Sequence, residues 1–327
     1  MNLLILSAGT RNKVVQYFKR ECQKGERVVA TDCSNLAPAV YEADAFYLVP
    51  RISHPDYLNI ILDICKKEKI TGVLSLIDPE LSLLAKQEEK FKALGVTIIG
   101  SGYDLVETCF NKYAMYKMLD SLKIPTGKCY LDKELFYAHK AAGRIGYPVF
   151  VKPVCGSASL HISKVASDQE LEVLFGLYED LMIQEFMDGP EYGADVYIDL
   201  LTGRVSTIFV KKKIKMRAGE TDKSVSVREP ALFALIQKFV EDCGFKGIID
   251  IDIFRIKENW YISEVNPRFG GGFPHAYESG VNVPAMILQN LRGEETRPDI
   301  GNYEEGICMM KYNEVLIRRI SETEIVE

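Results

Sequence analysis

The sequence predicts a protein in two styles: an α/β unit with a parallel sheet at the N-terminal end, then an α+β part built on antiparallel hairpins. Three observations carry this. The first hundred residues alternate short apolar runs with amphipathic helical patterns, the spacing of strands that lie parallel beneath covering helices. Residues Ile249 to Arg268 alternate with period two on both sides of the polar turn Lys257-Glu258-Asn259, which reads as a hairpin. At 327 residues and 47% hydrophobic content, the chain can bury large cores and form two or three domains or lobes.

In the first hundred residues, strands are predicted at Leu3–Ser7, Arg27–Thr31, Ala45–Val49, Gly72–Ile77 and Val96–Gly100, and helices at Asn12–Glu21, Pro55–Lys69 and Glu80–Ala93. The turn Ser7-Ala-Gly-Thr-Arg-Asn12 stands where a dinucleotide fold binds pyrophosphate, but the full Gly-x-Gly-x-x-Gly spacing is missing, so no nicotinamide site is assigned. Asp32 fits either a ribose hydroxyl or the cap of the segment starting at Ser34, and the cap is favoured. Asp78 and Glu80 follow the fourth strand at the ligand-binding edge of such sheets; helix capping is favoured over substrate contact.

The middle begins with an amphipathic helix over Asn111–Leu122 with Lys112 at its entry, closed by Ile124-Pro-Thr-Gly127. Tyr147-Pro-Val-Phe-Val-Lys152 is an apolar strand ending in a lysine. Gly156-Ser157-Ala158-Ser159 follows, then a return strand at Leu160–Val165. A loop of small residues lets backbone N–H groups approach phosphate oxygens, and a lysine at its mouth supplies charge; an ordinary hairpin turn is the equal alternative. Leu181–Met187 is a further strand, turning at Asp188-Gly-Pro190 into Glu191–Asp199. The lysines of Lys211–Lys215 read as a solvated strand edge, and Pro230–Asp242 as a helix. Pro274–Leu291 gives a helix pattern interrupted by Gly280 and Pro284, with His275 in a structural role. Gly306–Leu316 reads as a last strand, before a charged, disordered end.

In the hairpin, Ile249, Ile251 and Ile253 share one face and Asp250 and Asp252 the other. Strict alternation puts Trp260, Ile262, Glu264 and Asn266 on one face of the second strand and Tyr261, Ser263 and Val265 on the opposite one. Asp252, Glu264 and Asn266 then converge as hard oxygen donors that suit Mg²⁺ carrying substrate phosphates, with Arg268 beside them. A plain solvated strand face is the alternative.

Composition narrows the field. Forty Lys and Arg against 46 Asp and Glu give a net charge of −6 and a pI near 5.5, against broad nucleic-acid binding. The opening Met1-Asn-Leu-Leu-Ile-Leu reads as a buried strand and not a signal peptide, and no apolar run is long enough to span a membrane. Eight scattered cysteines without a Cys-x-x-Cys pair read as reduced thiols of a cytoplasmic protein and not a zinc site.

The run Glu264-Val-Asn266-Pro-Arg268, passing into Phe-Gly-Gly-Gly at 269–272, closely resembles the signature of the ATP-grasp superfamily, especially the ATP-binding halves of carbamoyl phosphate synthetase large chains and the biotin carboxylases. The resemblance covers about residues 1–295. It implies a pre-ATP-grasp domain at 1–110, an ATP-grasp small lobe with the phosphate loop at 111–190, and a large lobe with the metal site at 191–327. It further implies ATP with Mg²⁺ or Mn²⁺ held by Asp252, Glu264 and Asn266. Lys112, Lys152, Gly156 and Ser157 would meet the phosphates, Glu185 and Met187 the adenine, and Glu191 the ribose. Arg268 and Arg217 would face the transferred phosphate and the acceptor. Two departures stand out: relatives carry Glu or Gln where this chain has Asp252, whose shorter arm shifts the second metal, and the loop at 155–159 has fewer glycines than the richest examples.

The implied activity is that of an ATP-dependent carboxylate–amine ligase working through an acylphosphate on a small carboxylate such as an amino acid. Its partners would be small-molecule carboxylates and amines, with no nucleic acid and no membrane, in a monomer or homodimer. Two other readings remain open: a bicarbonate-phosphorylating carboxylase or carbamoyl-phosphate-synthetase-like subunit, and a non-catalytic ATP-binding sensor.

Overall fold

The computed structural model describes residues 1–156, 162–321 and 325–326. Its first sheet comprises β1 (Asn2–Leu6), β2 (Arg27–Asp32), β3 (Ala45–Leu48), β4 (Gly72–Ser75) and β5 (Thr97–Ile98), all parallel, in the order β3-β2-β1-β4-β5. β1, β2 and β4 are buried almost throughout because helices cover both faces, which is why they read as continuous apolar runs. Strand order reverses between β1 and β4, so the loops leaving these two strands part and open a crevice at the sheet's carboxyl edge. The helix predicted over Glu80–Ala93 is two, Asp78–Lys86 and Glu88–Lys92.

A four-stranded antiparallel sheet follows: β6 (Cys129–Tyr130), β7 (Val149–Pro153), β8 (Ser163–Val165) and β9 (Leu181–Glu185), in the order β6-β9-β7-β8. The third sheet holds β10 (Glu191–Ile198), β11 (Val205–Arg217), β12 (Glu220–Val227), β13 (Gly247–Ile256), β14 (Asn259–Asn266) and β15 (Cys308–Met310), antiparallel in the order β14-β13-β10-β11-β12-β15. β15 is shorter than the predicted last strand and pairs with β12 over only three residues. The pattern over Pro274–Leu291 splits, as its Gly and Pro foretell, into Pro274–Glu278 and Val283–Leu291. Helices at Tyr103–Phe110, Lys133–Ala141 and Asp168–Leu177 were not among the predicted elements.

The cores show how these parts are joined. Leu3, Ile5, Val15 and Phe18 of the first unit share one continuous cluster with Tyr197, Phe209, Phe269, Phe273 and Ile287 of the last. Close packing of that kind fixes the parallel sheet against the six-stranded one. The four-stranded sheet has a separate core around Phe136, Val149, Leu171 and Ile183.

Gly189, in the turn between β9 and β10, shows how tightly the third sheet receives the chain. A Cβ there would lie 2.1 Å from the carbonyl oxygen of Arg255, a backbone atom that cannot swing aside. Gly189→Ala is expected to cost about 2–3 kcal/mol, read as a lowered urea midpoint at unchanged slope.

Candidate active site

A cleft of about 610 Å³ opens where the three sheets meet. Its floor is the β13–β14 hairpin, in which Asp252 lies opposite Glu264 and Asp250 opposite Asn266. The strict alternation expected for β14 does not hold. Ile262, Val265 and Trp260 are all buried in the core beneath, while Glu264 and Asn266 face the cleft. The cause is a β-bulge: the register shifts between Asp252 and Ile253, which pair with Glu264 and Ile262, leaving Ser263 as the extra residue. Glu264 and Asn266 therefore project together, but away from Ile262 and not with it.

Behind the hairpin and past β10, β11 delivers two lysines from what the sequence suggested was a solvated edge. Lys211 and Lys213 are buried because β11 runs through the sheet interior between β10 and β12. Gly193, which lies opposite both Asp252 and Lys211, leaves room for them: a Cβ there would come within 3.2 Å of Lys211 and 3.3 Å of Lys213. Lys211 forms a fully buried ion pair with Asp195. Lys213 reaches Asp252 at 2.5 Å and Glu191 at 2.7 Å. Burial alone would lower its pKa, but the charges of Asp252 and Glu191 more than offset this, so it stays firmly protonated.

The opposite wall comes from the parallel sheet and the small lobe. Arg11 leaves the loop after β1 and pairs with Glu220 at 3.0 Å; Asp78, after β4, pairs with Arg268 at 3.1 Å. Both lie on the cleft side of the strand-order reversal. Arg268 also donates to the Asn266 side-chain oxygen at 3.2 Å. Lys112 opens the helix Lys112–Ser121, capped by Asn111, donates to the Gly156 carbonyl and lies 4.0 Å from Glu264. Lys152, near the end of β7, is 5% exposed and makes no hydrogen bond or ion pair with another described residue. Burial lowers its pKa, partly opposed by Glu264.

Among the ten charged side chains lining the cleft, four pairs thus form: Arg268 with Asp78, Arg11 with Glu220, Lys213 with Asp252, and more loosely Lys112 with Glu264. Lys152 and Asp250 remain. Burial and the charge of Asp252 raise the pKa of Asp250 above the ordinary carboxylate range.

Not every expected residue reaches this cleft. Arg217 turns outward, half exposed, toward Asp222 at 3.3 Å and Asn313 at 3.4 Å, because β11 carries register shifts around Lys215 that re-aim its last residues. Glu185, Met187 and Glu191 are not in its lining, although Glu191 is tied to it through Lys213. The Glu185 carboxylate accepts from the Lys128 N–H at 3.0 Å, and Met187 is buried against Gly127. Ser157 lies outside the described residues. Asp32 accepts from the N–H groups of Gly9 and Ser34, which agrees with a local structural role. Glu80 caps nothing: it is fully buried and bonded to Tyr57 and Ser75.

Lys213 and Arg11 were not singled out from sequence, and Asp250 was placed on the hairpin's polar face without a role. The apolar run Val205–Val210 entering Lys211–Lys213 is the available sign that the lysines continue an interior strand.

The oxygen donors fit a divalent cation only in part. No cluster of three His, Cys, Asp or Glu among the described residues could hold one. Two carboxylates and an amide leave coordination positions for phosphate oxygens, the usual arrangement for Mg²⁺. Glu264 makes no hydrogen bond with a described residue and is free to turn toward such an ion.

His275 is buried between Ser224 (2.8 Å) and the Ile307 carbonyl (3.0 Å), and burial, helped by Lys211, lowers its pKa to about 4. The unfolded chain takes up this proton near pH 6.5 and the fold resists it, so stability falls as pH drops from about 6.5 to about 4. Urea titrations are expected to show the native chain losing roughly 3 kcal/mol more over that window than His275→Gln.

All eight cysteines are free thiols, and no helix among the described residues is long and apolar enough to cross a membrane.

Comparison with known proteins agrees with this architecture. Residues 3–99 match the PylC-like N-terminal domain, and residues 178–315 match the family described as ATP-grasp in the biosynthetic pathway with Ter operon. The arginine-specific carbamoyl phosphate synthase large chain of Geobacillus stearothermophilus is 25% identical over 83% of this chain and 26% of its own length. The formate-dependent phosphoribosylglycinamide formyltransferase of Wolinella succinogenes is 26% identical over 89% of this chain and 73% of its own. The chain therefore spans about a quarter of the synthase relative. In fold it is similar to the biotin carboxylase domain dimer of Hydrogenobacter thermophilus 2-oxoglutarate carboxylase, solved with MgADP, ADP and bicarbonate: TM-score 0.71, 18% identity, 94% of this chain and 73% of that one.

Proposed function

We propose that this chain, which belongs to the ATP-grasp superfamily, is an ATP-dependent carbon–nitrogen ligase that activates a small carboxylate as an acylphosphate and passes it to an amine. The observation that carries this is Lys152: a buried side chain with no hydrogen-bond or ion-pair partner among the described residues, lining the same cleft of about 610 Å³ as Asp252 and Glu264. An unpaired buried cation is costly, and an incoming phosphate anion relieves it.

In this reading Lys152 and Lys112 hold the phosphates with the backbone at Gly156 and, by expectation, Ser157. Asp252, Glu264 and Asn266 hold Mg²⁺, which when bound neutralises phosphate charge; Mn²⁺ would suit the same oxygens. Lys213 is already paired with Asp252 and sits ready to pass to a phosphate oxygen when a metal takes that carboxylate. Glu185, Met187 and Glu191 serve the adenosine end. The acceptor carboxylate oxygen attacks the γ-phosphorus and ADP leaves. The amine nitrogen then attacks the acyl carbon, loses its proton and expels phosphate. Arg268 steadies the transferred group, and Arg11 supplies the second guanidinium assigned to Arg217 from sequence. Residues 1–110 would shape the acceptor side, 111–190 cover the phosphates and 191–327 carry the metal.

A carboxylase that phosphorylates bicarbonate is the second reading, favoured by the fold's likeness to a domain solved with that anion. Both readings place the protein in the cytoplasm, as a monomer or homodimer, which sedimentation decides. The functional test is ADP release from MgATP across a grid of small carboxylates, bicarbonate and amines. A carboxylate–amine pair that stimulates release supports the ligase, and bicarbonate alone supports the carboxylase. MgATP binding with no stimulation by any acceptor would leave only the sensor reading.

A further inference from the structure

A second cavity, of about 320 Å³, lies at the carboxyl edge of the parallel sheet, on the β1–β2–β3 side of the strand-order reversal. Open sheets of this kind take ligands at that edge, and the ligase chemistry above makes no use of the cavity. Ser7 borders it after β1, Cys33 after β2, Arg51 and Ile52 after β3, and Ile77 after β4. Tyr57 lines it from the helix Tyr57–Lys67, and its hydroxyl is already committed to the buried Glu80 carboxylate, which Ser75 also holds. That bond fixes the ring as an apolar wall. Arg51 is the one charged residue in the lining; it is exposed, and its guanidinium makes no hydrogen bond or ion pair with another described residue. The cavity also adjoins the cleft. Ile77, an exposed apolar residue, lines both, and the loops after β1 and β4 that give the cavity Ser7 and Ile77 give the cleft Arg11 and Asp78.

We propose that the carboxylate substrate is a long diacid. One carboxylate is activated in the cleft, an apolar middle crosses Ile77, and the second carboxylate rests in the cavity against Arg51. This rests on the ligase reading and names its substrate class. Apolar walls suit a methylene chain, and an unpaired guanidinium beside them suits a carboxylate, which its planar fork binds by two hydrogen bonds. Selectivity follows from reach: a short acid gains from the cleft alone, a long monoacid adds apolar burial, and only a long diacid adds the charge pair.

The test measures ADP release at saturating MgATP for straight-chain monoacids and diacids of matched length: butanoate with succinate, octanoate with suberate, decanoate with sebacate. Hydroxylamine serves as the amine; its nitrogen attacks the acyl carbon, loses a proton and expels phosphate, leaving a hydroxamate. The native chain is expected to use suberate or sebacate about 30-fold better in kcat/KM than the matched monoacid, and succinate no better than butanoate. Arg51→Gln is expected to bring the long-chain ratio down to within a few-fold. Ile52→Trp, which fills the cavity, is expected to move the best diacid to a shorter chain. Cys33 reports occupancy directly: its alkylation by iodoacetamide, read on its own peptide by mass spectrometry, is expected to slow severalfold with suberate and not with succinate. No advantage of long diacids in the native chain, or one that survives Arg51→Gln, overturns the proposal while the ligase stands. So does protection of Cys33 without faster ADP release, which would make the cavity a separate site. Failure of every acid, short or long, to stimulate ADP release with MgATP still bound removes the ligase reading itself and this one with it.

Discussion

Glu264→Ala is expected to reduce acceptor-stimulated ADP release by about a thousandfold while leaving the melting temperature within a few degrees of the native value. The two halves of this expectation have separate grounds. Glu264 makes no hydrogen bond with a described residue, and its nearest cation, Lys112, is 4.0 Å away, so the fold loses little when it goes. Chemistry loses much more, because Glu264 and Asp252 are the only facing carboxylates on the hairpin pair proposed to hold Mg²⁺. A coupled ADP assay beside a thermal melt reads both. Turnover equal to native in a folded variant would end the metal role of Glu264, and a collapsed melt would show that its place in the structure was misjudged.

The largest stability effect is expected at Lys211. Its ammonium and the Asp195 carboxylate form a pair from which solvent is excluded, and the second oxygen of Asp195 has no hydrogen-bond partner among the described residues. Lys211→Met leaves Asp195 buried without a counter-charge and is expected to cost about 3–5 kcal/mol. Adding Asp195→Asn removes that charge and should restore most of the loss, since trading a buried pair for neutral groups is often close to neutral. Urea midpoints of the two single variants and the double variant give the coupling. Additive losses would mean that the pair is not a unit.

Much of this was legible in the residues. The parallel sheet declared itself through apolar runs separated by amphipathic helices, since a strand covered on both faces has little polar surface to show. Asp252, Glu264 and Asn266 announced themselves through a period-two hairpin and a short motif, and the structure does bring them to one face. What stayed hidden depends on pairing across the chain. Whether Lys213 is solvated or buried turns on β12 covering the outer side of β11, and nothing within Lys211–Lys215 reports that. Arg11 becomes a cleft residue only because Phe18 and Val15 share a core with Phe269 and Phe273, more than 200 positions away. Arg217 misses the cleft for a local reason: register shifts around Lys215 in β11 re-aim the strand end, and the polar run Lys211–Arg217 carries no apolar marker of where they fall.

The bulge at Ser263 has the opposite character. Suppose that residue were deleted: Ile262 would still meet Ile253, Glu264 would still meet Asp252, and the inward and outward sequence of β14 would be the same. The additional residue leaves unchanged which groups face the cleft. It supplies extra twist at one rung of the ladder, and so sets the angle at which a carboxylate is offered. A hairpin one residue shorter in this interval would keep the same cleft-facing groups while tilting them differently, a means of re-aiming side chains without changing a single one of them.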